Sequence, residues 1–187
     1  MIAGIILLAI SLVIVIWGIS VYNRFVKLKV LMSEAWSITD VFLKKRYDLI
    51  PNLVESVKGY ATHEQETLEN VILARSKAMG AKDMAERAEY EGELGGFLGR
   101  LMAVTEQYPA LRANENFMYL QKELSQLEGE VEKARRYYNG TVRENNIAIK
   151  VFPASIIAGM ANFTDGQFFE ISEKEQREAP KVSFKKE

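Results

Sequence analysis

The sequence has no cysteine and only one histidine, His63. The missing thiols exclude disulfides, thiolate zinc sites and cysteine nucleophiles. A single histidine also excludes any site or mechanism that needs two imidazoles. A glycine-rich phosphate loop, a serine–histidine pairing and a nucleophile elbow are absent as well. We therefore expect a protein without enzymatic activity and without a bound cofactor.

Neither sign of charge dominates the chain, because 24 lysine and arginine residues face 25 aspartate and glutamate residues. The resulting net charge of -1 gives no electrostatic reason to bind nucleic acid, and we expect no nucleic acid among the partners. Since 48% of the residues are hydrophobic, the chain can bury a core of its own.

Proline is also scarce, with four residues at Pro51, Pro109, Pro153 and Pro180. Because proline interrupts helix interiors, their wide spacing leaves three long intervals that can be helical. The alternation of apolar and polar residues that marks a half-buried strand does not occur over a useful length. These observations predict an all-α protein.

Charged side chains are absent from residues 1–23, and residues 2–19 are almost wholly aliphatic. A helix needs about 20 apolar residues to cross the hydrocarbon core of a bilayer. Tyr22 stands at the end of the run, where aromatic rings favour the membrane–water interface. We therefore predict a transmembrane anchor over residues 1–22 that contacts the lipid bilayer. Its candidate lipid-facing residues are Ile5, Ile6, Leu7, Leu8, Leu12, Val13, Ile14 and Trp17.

Two other interpretations of this run are disfavoured. A cleaved signal peptide would need a basic segment before the run and an Ala-x-Ala site near its end, and both are missing. A buried core helix is seldom so uniformly aliphatic. The first charges after the run, Arg24, Lys27 and Lys29, are all basic. The positive-inside rule then predicts a single-pass protein of the bacterial cell membrane, with its N-terminus outside and its bundle in the cytoplasm.

Residues 23–163 are predicted to form a long antiparallel bundle of about four helices, with the first helix continuous with the anchor. This helix should end near Ile50, because a residue before proline avoids the α conformation. Its inward stripe is predicted at Ala35, Ile38 and Phe42. A second helix should run from Pro51 to Gly80.

The third helix is clearest over residues 94–104, and the fourth should begin after a cap at Asn114 or Asn116. The end of the fourth helix should fall between Tyr138 and Lys150. A short apolar helix is expected at residues 155–160. A polar tail over residues 164–187, with Phe168, Phe169 and Phe184, should be ordered only where a partner holds it.

The sequence resembles the bacterial LemA family at the predicted first corner and along most of the chain. The matching stretches include Glu34-Ala35-Trp36-Ser37, Leu43-Lys44-Lys45-Arg46-Tyr47-Asp48-Leu49-Ile50-Pro51-Asn52-Leu53-Val54, Val57-Lys58-Gly59-Tyr60, Ala134-Arg135-Arg136 and Phe152-Pro153. The resemblance implies a membrane-anchored protein with an antiparallel helical bundle, and it implies no particular reaction. Phe42, Gly129 and Asn145 depart from the family pattern.

The most specific motif, Tyr47, Asp48, Leu49, Ile50, Pro51 and Asn52, is predicted to form a corner between the first two helices. Aspartate and asparagine suit turns and caps, so corner architecture is favoured over a binding role. A candidate interaction surface consists of Phe42, Lys44, Lys45, Arg46, Arg135 and Arg136. The alternative for these basic residues is structural pairing with neighbouring helices.

His63 with Glu64, Glu66 and Glu69 is the nearest approach to a metal or acid–base cluster. One histidine does not supply the paired Glu-x-x-His motifs of di-metal bundles, so a solvated helix face is favoured and no metal is expected.

The sequence is compatible with two functions. The first is a membrane-tethered, non-enzymatic scaffold that self-associates or docks other membrane-associated proteins. The alternative is a sensor or effector that binds a small ligand, peptide or metal within the bundle and regulates a partner.

Overall fold

The computed structural model describes residues 2–170. These residues form six α-helices and no strand: α1 (Ile2–Lys58), α2 (Gln65–Gly80), α3 (Met84–Thr105), α4 (Pro109–Arg112), α5 (Glu115–Lys150) and α6 (Ala154–Met160). The predicted all-α class, with an apolar N-terminal helix that continues into a bundle, is confirmed.

The described residues divide into two compact units. The first unit contains residues 2–46 and 123–168, and the second contains residues 47–122 with 169 and 170. Both α1 and α5 contribute one part to each unit.

In the first unit, α1 and the second half of α5 run antiparallel. Phe25 shares an apolar cluster with Ile149, and the ring of Trp36 lies 5.4 Å from that of Tyr138. Because the later residue on α1 meets the earlier residue on α5, the two helices have opposite directions. This arrangement returns the chain along α1 toward the apolar start of that helix.

The core face of α1 in this unit differs in phase from the prediction. Ala35 is buried as expected, but Ile38 is exposed and Phe42 is half-buried. Within residues 35–43 the buried positions are Ala35, Thr39 and Leu43, which recur every four residues. The hydroxyl of Thr39 donates to the Ala35 carbonyl at 2.9 Å, so this polar residue is satisfied inside the core.

The first residues of the predicted tail are held by hydrogen bonds and an ion pair to α5, and they need no partner protein for this order. The Gly166 N–H donates to Asn146 Oδ1 at 2.7 Å, and Asn146 Nδ2 donates back to the Gly166 carbonyl at 3.0 Å. Lys150 pairs with Asp165 at 2.9 Å. Residues 164–167 therefore lie along α5, while the predicted role of Phe184 falls outside the described residues.

In the second unit, α1 does not end before Pro51 as predicted. It continues through Pro51 to Lys58, and the turn to α2 occupies residues 59–64. The expected corner at residues 47–52 is therefore wrong in position, and these residues are helical. Tyr60 in this turn is exposed and accepts a hydrogen bond from Asn114 Nδ2 at 3.1 Å.

Side-chain caps account for two helix starts in this unit. At α3, Asp83 Oδ1 accepts from the Glu86 N–H at 2.8 Å, and Glu86 Oε2 accepts from the Lys82 N–H at 2.6 Å. This reciprocal pair resembles a capping box. At α5, Asn114 Oδ1 accepts from the Phe117 N–H at 3.0 Å, which confirms Asn114 as the cap. The core of the unit includes Ile50, Leu53, Val57, Val71, Leu94, Leu98, Leu101, Leu111 and Phe117.

Candidate functional site

A surface groove opens between the end of α1 and α2 in the second unit. Its volume is about 890 Å³. Residues from α1, the following turn and α2 form its walls: Pro51, Val54, Glu55, Lys58, Ala61, Thr62, Gln65, Leu68, Glu69, Ile72, Leu73 and Ser76. We call this feature the α1–α2 groove.

The groove is apolar at its base and charged at its rim. Val54 and Leu68 are buried at the base, whereas Ile72 is 37% and Leu73 is 57% exposed on the α2 side. Adjacent exposed isoleucine and leucine side chains place apolar surface in contact with water, which burial against a partner would remove.

The rim carries both signs of charge. Lys58 lies 3.6 Å from a carboxylate oxygen of Glu55, and Gln65 donates to Glu69 at 2.7 Å. These polar side chains are exposed, and none of them pairs a nucleophile with a base. The chemistry of the groove therefore suits recognition of a protein segment that is apolar in the middle and charged at its edges.

A hydrogen bond from α2 compensates for the helical hydrogen bond that Pro51 cannot make to Tyr47. In a regular helix the N–H of residue 51 would donate to the carbonyl of residue 47, but proline has no N–H. Arg75 Nε on α2 donates to this Tyr47 carbonyl at 2.6 Å. The arginine supplies the donor that Pro51 lacks, and the helix can continue through the proline.

The side chain of Tyr47 makes a second link, this time to α3. Its hydroxyl donates to a carboxylate oxygen of Glu91, and both residues are buried. Tyr47 therefore contacts α2 through its carbonyl and α3 through its hydroxyl. Such hydrogen-bonded polar groups fix the relative register of packed helices.

The other motif residues divide between core and surface. Ile50 is buried, Leu49 and Pro51 are half-buried, and Asp48 and Asn52 are exposed. The Asn52 carbonyl accepts from the hydroxyl of Ser56 at 2.8 Å within α1. The motif thus belongs to a helix that forms one wall of the groove through Pro51.

The predicted basic interaction surface is not a single patch of free cations. Lys44 and Lys45 are exposed, and Lys45 Nζ lies 5.6 Å from the centroid of the half-buried Phe42 ring. Arg46 is buried. Of the two arginines on α5, Arg135 is half-buried, whereas the exposed Arg136 pairs with Glu132 at 3.1 Å.

The metal alternative receives no support from the described part of the chain. Within residues 2–170, His, Cys, Asp and Glu side chains do not form a group of three that could hold a metal ion. His63 lies in the turn before α2 and is exposed.

The predicted anchor residues all belong to the first part of α1. This helix is long and apolar enough to cross a membrane, and none of its most apolar 18-residue window is buried. The side chains concerned, Ile5, Ile6, Leu7, Leu8, Leu12, Val13, Ile14 and Trp17, are exposed.

Two important features were missed in the sequence. Val71, Ile72 and Leu73 are three consecutive apolar residues, and one buried helix face accounts only for Val71. The two additional apolar residues were a sequence signal for a second apolar surface. The role of Arg75 had no sequence signal, because the carbonyl that it contacts lies in a different helix.

Comparison with known proteins places these features in a family. Residues 35–184 match the model of the LemA family. Protein LemA of Metamycoplasma hominis is 27% identical, and the alignment covers 78% of this chain and 67% of that protein. Magnetosome protein MamQ 2 of Paramagnetospirillum magneticum is 25% identical, with 80% and 64% covered.

Magnetosome protein MamQ of Magnetospirillum gryphiswaldense is 24% identical, and the alignment covers 79% of this chain and 64% of that protein. The chain thus spans about two thirds of the length of these relatives, and their names are not those of enzymes. With the apolar start of α1, the comparisons indicate a membrane-associated protein. Because the family model matches most of its length, the chain belongs to the LemA family.

Proposed function

We propose that this chain is a non-enzymatic scaffold, held in the bacterial membrane by the first part of α1, that assembles with second copies of itself through the α1–α2 groove. The exposed pair Ile72 and Leu73 on the groove wall is the observation that carries the proposal. Burying two such side chains in an interface is favourable by about 25 cal/mol for each Å² of apolar area removed from water. Other membrane-associated proteins with a matching surface are a second class of partner.

The mixed charges of the rim support a self-complementary contact. In a two-fold interface each surface meets its own copy, so a group on one side must find its complement on the same surface. The groove rim provides Lys58 together with Glu55 and Glu69, which allows the lysine of one copy to meet a carboxylate of the other. Tethering in one bilayer also raises the effective concentration of the copies.

The anchor supports a cytoplasmic position for the assembly. Arg24, Lys27 and Lys29 follow the apolar run directly, and basic flanks favour the cytoplasmic side. Because the native chain has no cysteine, a single introduced cysteine gives an unambiguous label site. A Lys122→Cys variant should resist a membrane-impermeant maleimide in intact spheroplasts and react after lysis. Labelling in intact spheroplasts would overturn the cytoplasmic orientation.

Cysteine cross-linking in membranes tests the assembly itself. A Leu73→Cys variant of the full chain, treated with a short bismaleimide, should give a dimer of twice the monomer mass. Met79→Cys is the matched control, because it lies on the same helix with 48% exposure but outside the groove. Equal dimer yield at both positions, or dimer at neither, would contradict assembly through the groove. Adducts of Leu73→Cys with other proteins alone would replace self-assembly by partner docking.

The sensor alternative has one observation in its favour, the buried polar pair Tyr47 and Glu91. A ligand hydroxyl that displaced Tyr47 would find a ready acceptor in Glu91. We rank this function second because the two groups satisfy each other across the helices. Under the scaffold proposal, Tyr47→Phe lowers stability and leaves cross-linking at residue 73 in place.

A further inference from the structure

A second apolar surface lies at the end of α5, in the turn that follows and on α6. Residues 151–164 contain no charged side chain. Four large apolar residues of this segment are exposed: Val151, Phe152, Ile156 and Met160. Phe152 and Met160 are each 78% exposed, as much as the side chains of the apolar anchor itself. A short helix with such surface in water is unfavourable unless something covers it.

The inner side of α6 packs on α1 where the apolar run ends. Ala158 is buried in a cluster with Phe25 and Ile149, and Val21 and Ile157 pack against that cluster. Just after α6, the Phe163 ring lies 5.6 Å from Tyr22 and 5.1 Å from Phe25. These contacts fix α6 beside residues 21–25 of α1.

Contact with the anchor itself completes this placement. A Cβ atom at Gly18 would lie 3.8 Å from Ile157 Cδ1, so α6 reaches a residue inside the apolar run. The first charge on α1 comes only at Arg24. If residues 2–21 cross the hydrocarbon core at about 1.5 Å per residue, α6 lies level with the membrane–water boundary.

Charged groups then appear on both sides of this segment. Lys150 and Asp165 form an ion pair of 2.9 Å at the two ends of the segment, and both side chains are more than half exposed. An apolar surface bounded by charges is the pattern of an element that lies in the interface plane of a bilayer.

From these contacts we infer that α6 and the preceding turn form an interfacial membrane element. Val151, Phe152, Ile156 and Met160 enter the boundary between headgroups and acyl chains on the side of the bundle. The first unit is then held by two membrane contacts, the spanning part of α1 and the surface of α6. This inference rests on the membrane tether of the proposed function, and it is independent of assembly through the groove.

Site-directed spin labelling of the full chain tests the inference. Single cysteines at Phe152 and Met160 are introduced into the cysteine-free chain, labelled, and reconstituted at one copy per lipid nanodisc. We expect both labels to be accessible to oxygen. Their accessibility to a water-soluble nickel complex should be at least tenfold lower than that of the control label. The control is Tyr137→Cys on α5, which is 48% exposed and lies farther from the anchor along that helix.

A label at Ile14→Cys separates failure of the tether from failure of the inference. If residue 14 is shielded while residues 152 and 160 react like residue 137, the interfacial role of α6 is refuted and the anchor stands. If residue 14 is also open to the nickel complex, the tether itself fails. Shielding of residues 152 and 160 that appears only with two copies per nanodisc would assign the surface to a second chain and overturn the inference.

Discussion

At the scale of single residues, Pro51 allows a carbonyl of α1 to accept a hydrogen bond from α2. The proline removes the helical donor for the Tyr47 carbonyl, and Arg75 replaces it from α2 at 2.6 Å. A rule that ends helices at proline is local, whereas this contact joins residues far apart in sequence. Sequence reasoning identified the motif correctly and misplaced the corner, because the compensating donor lies in another helix.

A double-mutant cycle tests this account of Pro51 and Arg75. Arg75→Met should lower the free energy of unfolding by about 1–3 kcal/mol, because it removes a charged donor from a carbonyl that has no helical partner. In a Pro51→Ala background the new N–H serves that carbonyl, so the same change should cost less than half as much. Urea unfolding of the full chain in detergent, followed by circular dichroism, measures both values.

The control for this cycle is Arg136→Met. Arg136 makes an exposed ion pair with Glu132, so its replacement should change stability by less than about 0.5 kcal/mol in either background. Equal costs for Arg75→Met with and without Pro51 would refute the explanation.

Tyr138 provides a prediction about pH in the first unit. Burial raises the pKa of its phenol above the usual value of 10.0, and its hydroxyl donates to the Gln167 carbonyl at 2.8 Å. The folded state therefore favours the neutral phenol. Its contribution to stability is complete below pH 10 and is lost as the pH rises through the higher folded pKa.

Tyr138→Phe should therefore flatten the loss of stability above about pH 10, while costing about 1 kcal/mol at neutral pH for the lost hydrogen bond. Unfolding free energies measured from neutral to alkaline pH test both parts. The neighbouring Tyr137→Phe is the control, since Tyr137 is exposed. A wild-type and a Tyr138→Phe curve with the same alkaline slope would contradict the assignment.

At the scale of helices, the sequence predicted α5 well because its apolar residues repeat regularly over many turns. Phe117, Leu124, Val131, Ala134 and Tyr138 are buried as that repeat indicates. The start of α3 was missed, because the apolar pattern is clear only from residue 94, whereas the helix begins at Met84 behind the capping pair Asp83 and Glu86. The phase of α1 was harder to predict, because apolar residues such as Ile38 and Val41 occupy its exposed side as well.

The α1–α2 groove could not be derived from pattern alone. Its shape depends on the turn at residues 59–64 and on how α2 is rotated against the end of α1. The periodicity of each helix fixes which side faces inward, but it does not fix how closely two helices approach on their outer edge.

Gly129 in α5 gives a prediction about helix propensity. A Cβ atom at this position would meet nothing within 4 Å, so alanine fits without strain. Gly129→Ala should raise the free energy of unfolding by about 1 kcal/mol, because alanine favours the helical state more than glycine does. Gly166→Ala is the contrast, because Gly166 lies outside any helix and its added Cβ would lie 2.5 Å from Met32 Sδ. A gain of equal size at both glycines, measured by thermal unfolding, would refute this account.

At the scale of the whole molecule, the chain combines an apolar helical segment long enough to cross a membrane with an open apolar groove in its second unit. Membership of the LemA family indicates the architecture, whereas the function depends on the surface residues of this chain. The lack of cysteine makes the protein well suited to the labelling experiments that this account calls for.

The most direct test of the central claim is the mass of the full chain, measured by native mass spectrometry after release from membranes in detergent. Assembly through the groove predicts dimers or larger assemblies for the wild type and for Met79→Glu, and monomers for Leu73→Glu, because residue 73 lines the groove and residue 79 does not. The substitutions are at exposed positions, so the fold should persist in all three proteins. A wild type that is monomeric at every concentration, or a Leu73→Glu variant with wild-type masses, would contradict assembly through the groove.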